Sequence, residues 1–77
     1  MMSELEWMRI FGEKLQFLLK DAWMTQKELA DAIGVNESTI SRYINAERMP
    51  SVKAIVNICY EFGIEPTELI DFGDTIE

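Results

Sequence analysis

The chain has 77 residues, a net charge of −7, one cysteine and no histidine. It is short enough to be one domain with a modest core; it excludes an internal disulfide and leaves a zinc site little but carboxylates, so no metal or cofactor is expected. Hydrophobic content of 48% argues for a folded domain, and without an apolar run of about 18 residues or a basic, apolar leader the chain is expected to be soluble, unexported and cytoplasmic.

The predicted elements are all helices, in a single domain over residues 1–77 with a core of about 4–71 and an acidic tail over 72–77. Ser3 followed by Glu6 is a capping box that starts helix one near Glu4. Met8, Phe11, Leu15, Leu18 and Ala22 recur at spacings of three and four and predict its buried stripe. Trp7, Ile10 and Phe17 lie off that stripe. They form either a dimer surface or a face covered by Phe72 and Ile76 of the tail. Thr25 followed by Glu28 is a second capping box and opens helix two, with Leu29, Ala30 and Ile33 inside. Gly34 supplies the left-handed residue that ends it.

Asn36 is the expected N-cap of helix three, where Ile40, Tyr43 and Ile44 face inward. A loop over 46–50 leads to Ser51, the cap of helix four. Val52, Ile55, Cys59 and Phe62 are its expected stripe, and Gly63 its end. Pro66 suits the first position of a short helix five over 66–71, with Leu69 and Ile70 inward. No segment alternates as a strand does.

Residues 25–45, TQKELADAIGVNESTISRYIN, have the layout of a helix-turn-helix, whose second helix lies in the DNA major groove. Ala30 allows the two helices to cross closely, and Gly34 reverses the chain in a few residues. Helix three turns Glu37, Ser38, Thr39, Ser41, Arg42 and Asn45 away from the core. Arg42 can reach guanine O6 and N7 in bidentate fashion. Ser38 and Thr39 can donate or accept, and the Thr39 methyl can meet a thymine methyl. Glu37 either accepts from cytosine N4 or serves the helix N-terminus. Gln26 opens helix two and is expected on a phosphate, with Lys27, Asn45 and Arg48 flanking the groove as further phosphate contacts and Lys53 a weaker one. The charge is distributed to suit. Residues 25–53 carry four bases and four acids, and the remainder three bases and ten acids.

From about Leu15 to Ile70 the sequence resembles the phage Cro/repressor-like helix-turn-helix family, also called XRE. The matching features are TQ-x-ELA, I-G-V, S-T-I-S-R, a proline after a short basic loop, and the closing G-I-x-P-T-E-L. The resemblance implies an all-α, five-helix lambda-repressor-like DNA-binding domain with helix three as the reader, and a homodimer on a palindromic operator. It also implies, position by position, Gln26 as a phosphate clamp and Glu37, Ser38, Thr39 and Arg42 as base-facing residues. The chain departs from the family pattern at Ala46 and Trp23, where relatives often have glycine. It also has Leu19 and Ile44 where relatives often pair an arginine with a glutamate, so a Leu19–Ile44 contact is expected.

These expectations point to a sequence-specific transcriptional regulator, by default a repressor, that binds double-stranded DNA. The alternative is a protein-interaction module such as the antitoxin of a toxin–antitoxin pair. No catalytic residues are expected: the chain lacks histidine, and no nucleophile stands paired with a base.

Overall fold

The computed structural model describes residues 1–70, which form five α-helices and no strand. Asp71, the expected end of helix five, lies outside them, as do Phe72 and Ile76. The helices are α1 (Glu4–Asp21), α2 (Gln26–Ile33), α3 (Glu37–Ile44), α4 (Val52–Phe62) and α5 (Pro66–Ile70). α3 packs between α1 and α2, α2 also packs on α4, and α5 bridges α4 and α1.

Three of the starts, those of α1, α2 and α4, are fixed by the chemistry expected of them. Ser3 Oγ accepts from the Glu6 N–H at 3.1 Å, and the Ser3 N–H donates to Glu6 Oε1 at 3.0 Å. That hydrogen bonding holds the Glu6 carboxyl below its ordinary range. Thr25 and Glu28 form the same reciprocal pair at 3.0 and 2.8 Å. Ser51 Oγ accepts from the Ala54 N–H at 3.0 Å. Asn36 takes the N-cap position of α3 with extended backbone, but its side chain makes no capping hydrogen bond.

The core is wholly apolar among the described residues. Phe11, Leu15, Leu29, Ile40, Ile58 and Leu69 are its largest fully buried side chains. Trp7 stacks on Phe11 at 5.3 Å between ring centroids, and Phe11 meets the edge of Tyr43 at 6.2 Å. This row of rings ties α1 to α3.

Three stripes differ from expectation. α1 buries Phe11, Gly12, Leu15 and Leu19, whereas Leu18 is half-buried and Ala22 is exposed. The helix ends at Asp21, so Ala22 sits past its last turn as the exposed C-cap. α4 buries Ala54, Ile58 and Cys59, while Val52 is 78% exposed. It is held between α2 and α5, which centres its inner arc on Ile58 rather than on the line through Val52. α5 buries Leu69 and leaves Ile70 exposed, because adjacent residues lie about 100° apart and one short helix covers only one of them.

At Gly12 the backbones of α1 and α3 approach closely. A Cβ there would lie 2.8 Å from the Tyr43 carbonyl oxygen and still nearer that of Ile44. The last turn of α3 is thereby seated on α1. Leu19, buried, and Ile44, half-buried, line a common small cleft.

Candidate nucleic-acid interface

The α2–α3 pair is held rigid from within. Gly34 takes φ 76° at the end of α2, and the Val35 N–H donates to the Ala30 carbonyl at 2.9 Å. Ala30, 1% exposed, lies in the core with Leu29 and Ile40. A side chain larger than alanine would have no room in that close-packed setting. α3 therefore has one orientation relative to α2, and its outward residues form a fixed row.

Along that row Glu37, Ser38, Arg42 and Asn45 are exposed, and Thr39 and Ser41 are half-buried. Asn45 Nδ2 donates to Ser41 Oγ at 3.3 Å, which orients the amide along the helix. Arg42 makes no side-chain hydrogen bond or ion pair among the described residues; its backbone carbonyl accepts from the Glu47 N–H at 2.8 Å. Its guanidinium offers five donors in a planar fork to whatever lies over α3.

Two clefts flank the row. On one side Thr39 lines a cleft with Arg48, Ser51, Lys53 and Asn57, so the loop after α3 and the start of α4 bring two cations to the beginning of α3. On the other, Gln26 lines a cleft with Gln16, Lys20 and Ile44, joining the ends of α1 and α3 to the start of α2. Lys27 is exposed and pairs with Asp31 at 3.4 Å, one helical turn away. A pair this exposed contributes about 0.3–0.5 kcal/mol and gives way readily to a phosphate.

Gln16 and Lys20 join the expected residues in the Gln26 cleft. Their spacing of four on the polar side of helix one was the available signal, but nothing in the sequence shows that this side meets the start of α2. Ala46 and Trp23 both adopt left-handed backbone, with φ 59° and 56°. At each position the chain keeps a turn that suits glycine while carrying a side chain.

The three off-stripe residues of α1 differ in exposure. Trp7 is half-buried on Phe11, and Ile10 is half-buried against the core. Phe17 is 66% exposed. Ile10 and Phe17 share an open groove of about 430 Å³ between α1 and α5, with Leu18, Ile64 and Leu69. Among the described residues no cluster of His, Cys, Asp or Glu is arranged to hold a metal ion, and no helix is long and apolar enough to cross a membrane.

The fold matches known proteins. A helix-turn-helix family model covers residues 15–69. The restriction-modification controller protein C.AhdI from Aeromonas hydrophila is 27% identical, with a TM-score of 0.77 over 80% of this chain and 94% of its own. The SOS-response transcriptional repressor LexA from Eubacterium rectale is 26% identical, with a TM-score of 0.79 over 84% of this chain and 69% of its own. The clp gene regulator ClgR from Corynebacterium glutamicum, 20% identical, shares the fold at a TM-score of 0.79 over 83% of this chain and 68% of its own. Comparison with curated proteins returns no match. With the family model spanning all but the first turns of α1 and the end of the chain, this protein belongs to the helix-turn-helix family, as a DNA-binding transcriptional regulator of the XRE type.

Proposed function

We propose that the protein is a repressor that binds a palindromic operator as a homodimer. The observation that carries this reading is the unengaged Arg42 guanidinium in the middle of a rigid, polar, outward row on α3. Arg42, Glu37, Ser38 and Thr39 face base edges; Gln26, Lys27, Asn45 and Arg48 hold phosphates on either side. Two copies of α3 enter successive major grooves about 34 Å apart, and the bound dimer occludes polymerase at an overlapping promoter. The likeness to a controller protein and to a transcriptional repressor, each above 25% identity, supports control of transcription.

The −7 charge sets the character of binding. The protein as a whole repels DNA, so affinity for arbitrary sequence is low and discrimination rests on the few contacts of α3. Selection of bound duplexes from a random pool, at low and near-physiological salt, tests the reading. A two-fold symmetric motif with half-sites about one turn apart is the expected product. No enrichment at either salt overturns it.

A second reading, a protein-interaction module such as an antitoxin, is favoured by one observation: the open apolar groove between α1 and α5 with Phe17 at its rim. A partner that co-purifies at fixed stoichiometry and is released by Phe17→Glu supports it. The two readings are compatible, because a repressor can also hold a partner.

A further inference from the structure

Trp23 is 94% exposed, more than any other described large hydrophobic side chain but Met1. It is also one of two described non-glycine residues with positive φ. A side chain with a Cβ occupies that conformation at a cost that glycine escapes. Trp23 gives the core nothing in return. The turn around it is closed by backbone alone: the Trp23 N–H donates to the Lys20 carbonyl at 3.2 Å and the Met24 N–H to that of Leu19 at 2.9 Å. Met24 packs on the core and Trp23 is left in water.

The position of this indole is informative. Thr25, two residues on, caps α2, and Gln26, the first residue of α2, is one further. Three residues span at most about 10 Å, so Trp23 stands beside the start of α2. Gln26 shares its cleft with Lys20, from the turn preceding Trp23. Lys20 and Asp21 offset one another in charge, so the turn attracts no anion by charge alone. The indole offers a flat apolar face and one N–H donor.

We propose that Trp23 is a DNA-backbone contact. Its ring lies against the deoxyribose of the strand beside α2 and its Nε1–H donates to a phosphate oxygen, next to the phosphate taken by Gln26. The contact carries no sequence information and releases no counterion. It adds affinity on every duplex equally and leaves the salt dependence of binding unchanged, whereas a lysine on phosphate would steepen it. This rests on the DNA-binding reading of α2 and α3.

The test compares wild type with Trp23→Gly on a random-sequence 20-base-pair duplex pool across a salt series. Glycine relieves the left-handed backbone, so the variant should melt higher than wild type and failure to fold is not the concern. The expected result is affinity about five- to tenfold weaker, the equivalent of one hydrogen bond with its apolar contact, and an unchanged slope of log affinity against log salt. In wild type, acrylamide quenching of the exposed indole should fall when duplex is added. Unchanged affinity in Trp23→Gly while Arg42→Ala still weakens binding to duplexes enriched from the pool overturns the role of Trp23 and leaves the DNA reading intact. Quenching that falls on concentrating the protein without DNA overturns it in favour of a contact between copies. Wild type that binds no duplex at any salt overturns both.

Discussion

At the scale of single residues, Arg42 and Cys59 show opposite uses of a side chain. Arg42 is exposed and unengaged, so its fork costs nothing to redirect. Arg42→Ala should leave the melting temperature nearly unchanged. On the selected operator it should cost about 1–3 kcal/mol and relax preference at one base pair, read by competition binding against single-base variants. Full retention of affinity and selectivity would remove Arg42 from the reading role. Cys59 is 3% exposed in the core, and burial, reinforced by Glu68 and Glu65, pushes its thiol pKa up. Because the folded value is raised, the fold favours the protonated thiol. That contribution is complete below the unfolded value and is lost as pH rises through the folded one. Stability should therefore decline on the alkaline side, and a thiol reagent should modify Cys59 only as fast as the protein opens. Prompt modification of the native protein would contradict this burial.

At the scale of elements, the joint between α1 and α3 decides where α3 points. Alanine in place of a mid-helix glycine ordinarily gains about 1 kcal/mol of propensity. Gly12→Ala should reverse that sign, because its Cβ would strike the backbone carbonyls of Tyr43 and Ile44, which no side-chain rotation can move. A net loss of about 2–3 kcal/mol is expected in chemical denaturation, in the range of overpacked cores. DNA affinity should fall further than the unfolded fraction explains, since Ile44 is the last residue of α3. A stabilised Gly12→Ala protein would mean that α1 and α3 are further apart. This joint was not legible in the sequence, although the helices on both sides of it were. The capping boxes at Ser3 and Thr25, Gly34 and the 3.6-residue period announce helices through local chemistry. Gly12 announces nothing, because close approach depends on what crosses above it. The same reason accounts for Ile58 and Val52. Both are apolar and suited to a helix, and only the placement of α2 and α5 buries the first and exposes the second. The polar row of α3 was legible because Ile40, Tyr43 and Ile44 mark the side that must turn in. The convergence of Lys20 with Gln26 was not, since it brings together two elements, α1 and α2, through tertiary packing.

At the scale of the whole molecule, the proposed dimer must form between two chains that each carry −7. Among the described residues two exposed apolar surfaces are candidates for it: Phe17 at the rim of the α1–α5 groove, and the row Val52, Val56 and Tyr60, spaced by one helical turn along α4. The α4 row is the more exposed, with Val52 at 78% and Tyr60 at 87%, and a stable interface buries about 800 Å² per partner, more than either patch supplies without its surroundings. Val56→Arg and Phe17→Glu separate the two in sedimentation: the substitution that yields monomer marks the surface, and retention of the dimer by both would place it elsewhere. Charge then gives the two associations opposite responses to salt. Repulsion between acidic copies is screened as ionic strength rises, because the Debye length shortens from about 30 Å at 0.01 M to about 8 Å at 0.15 M. Binding of arginine and lysine to phosphate weakens over the same range through counterion release. Dimerisation measured without DNA should therefore tighten with salt, while operator binding by preformed dimer loosens. At dilute protein the observed operator affinity should pass through a maximum, where added salt has assembled the dimer but has not yet stripped the phosphate contacts. A monotonic fall, with dimerisation indifferent to salt, would mean that the acidic residues lie away from the interface and that the −7 charge acts on DNA alone.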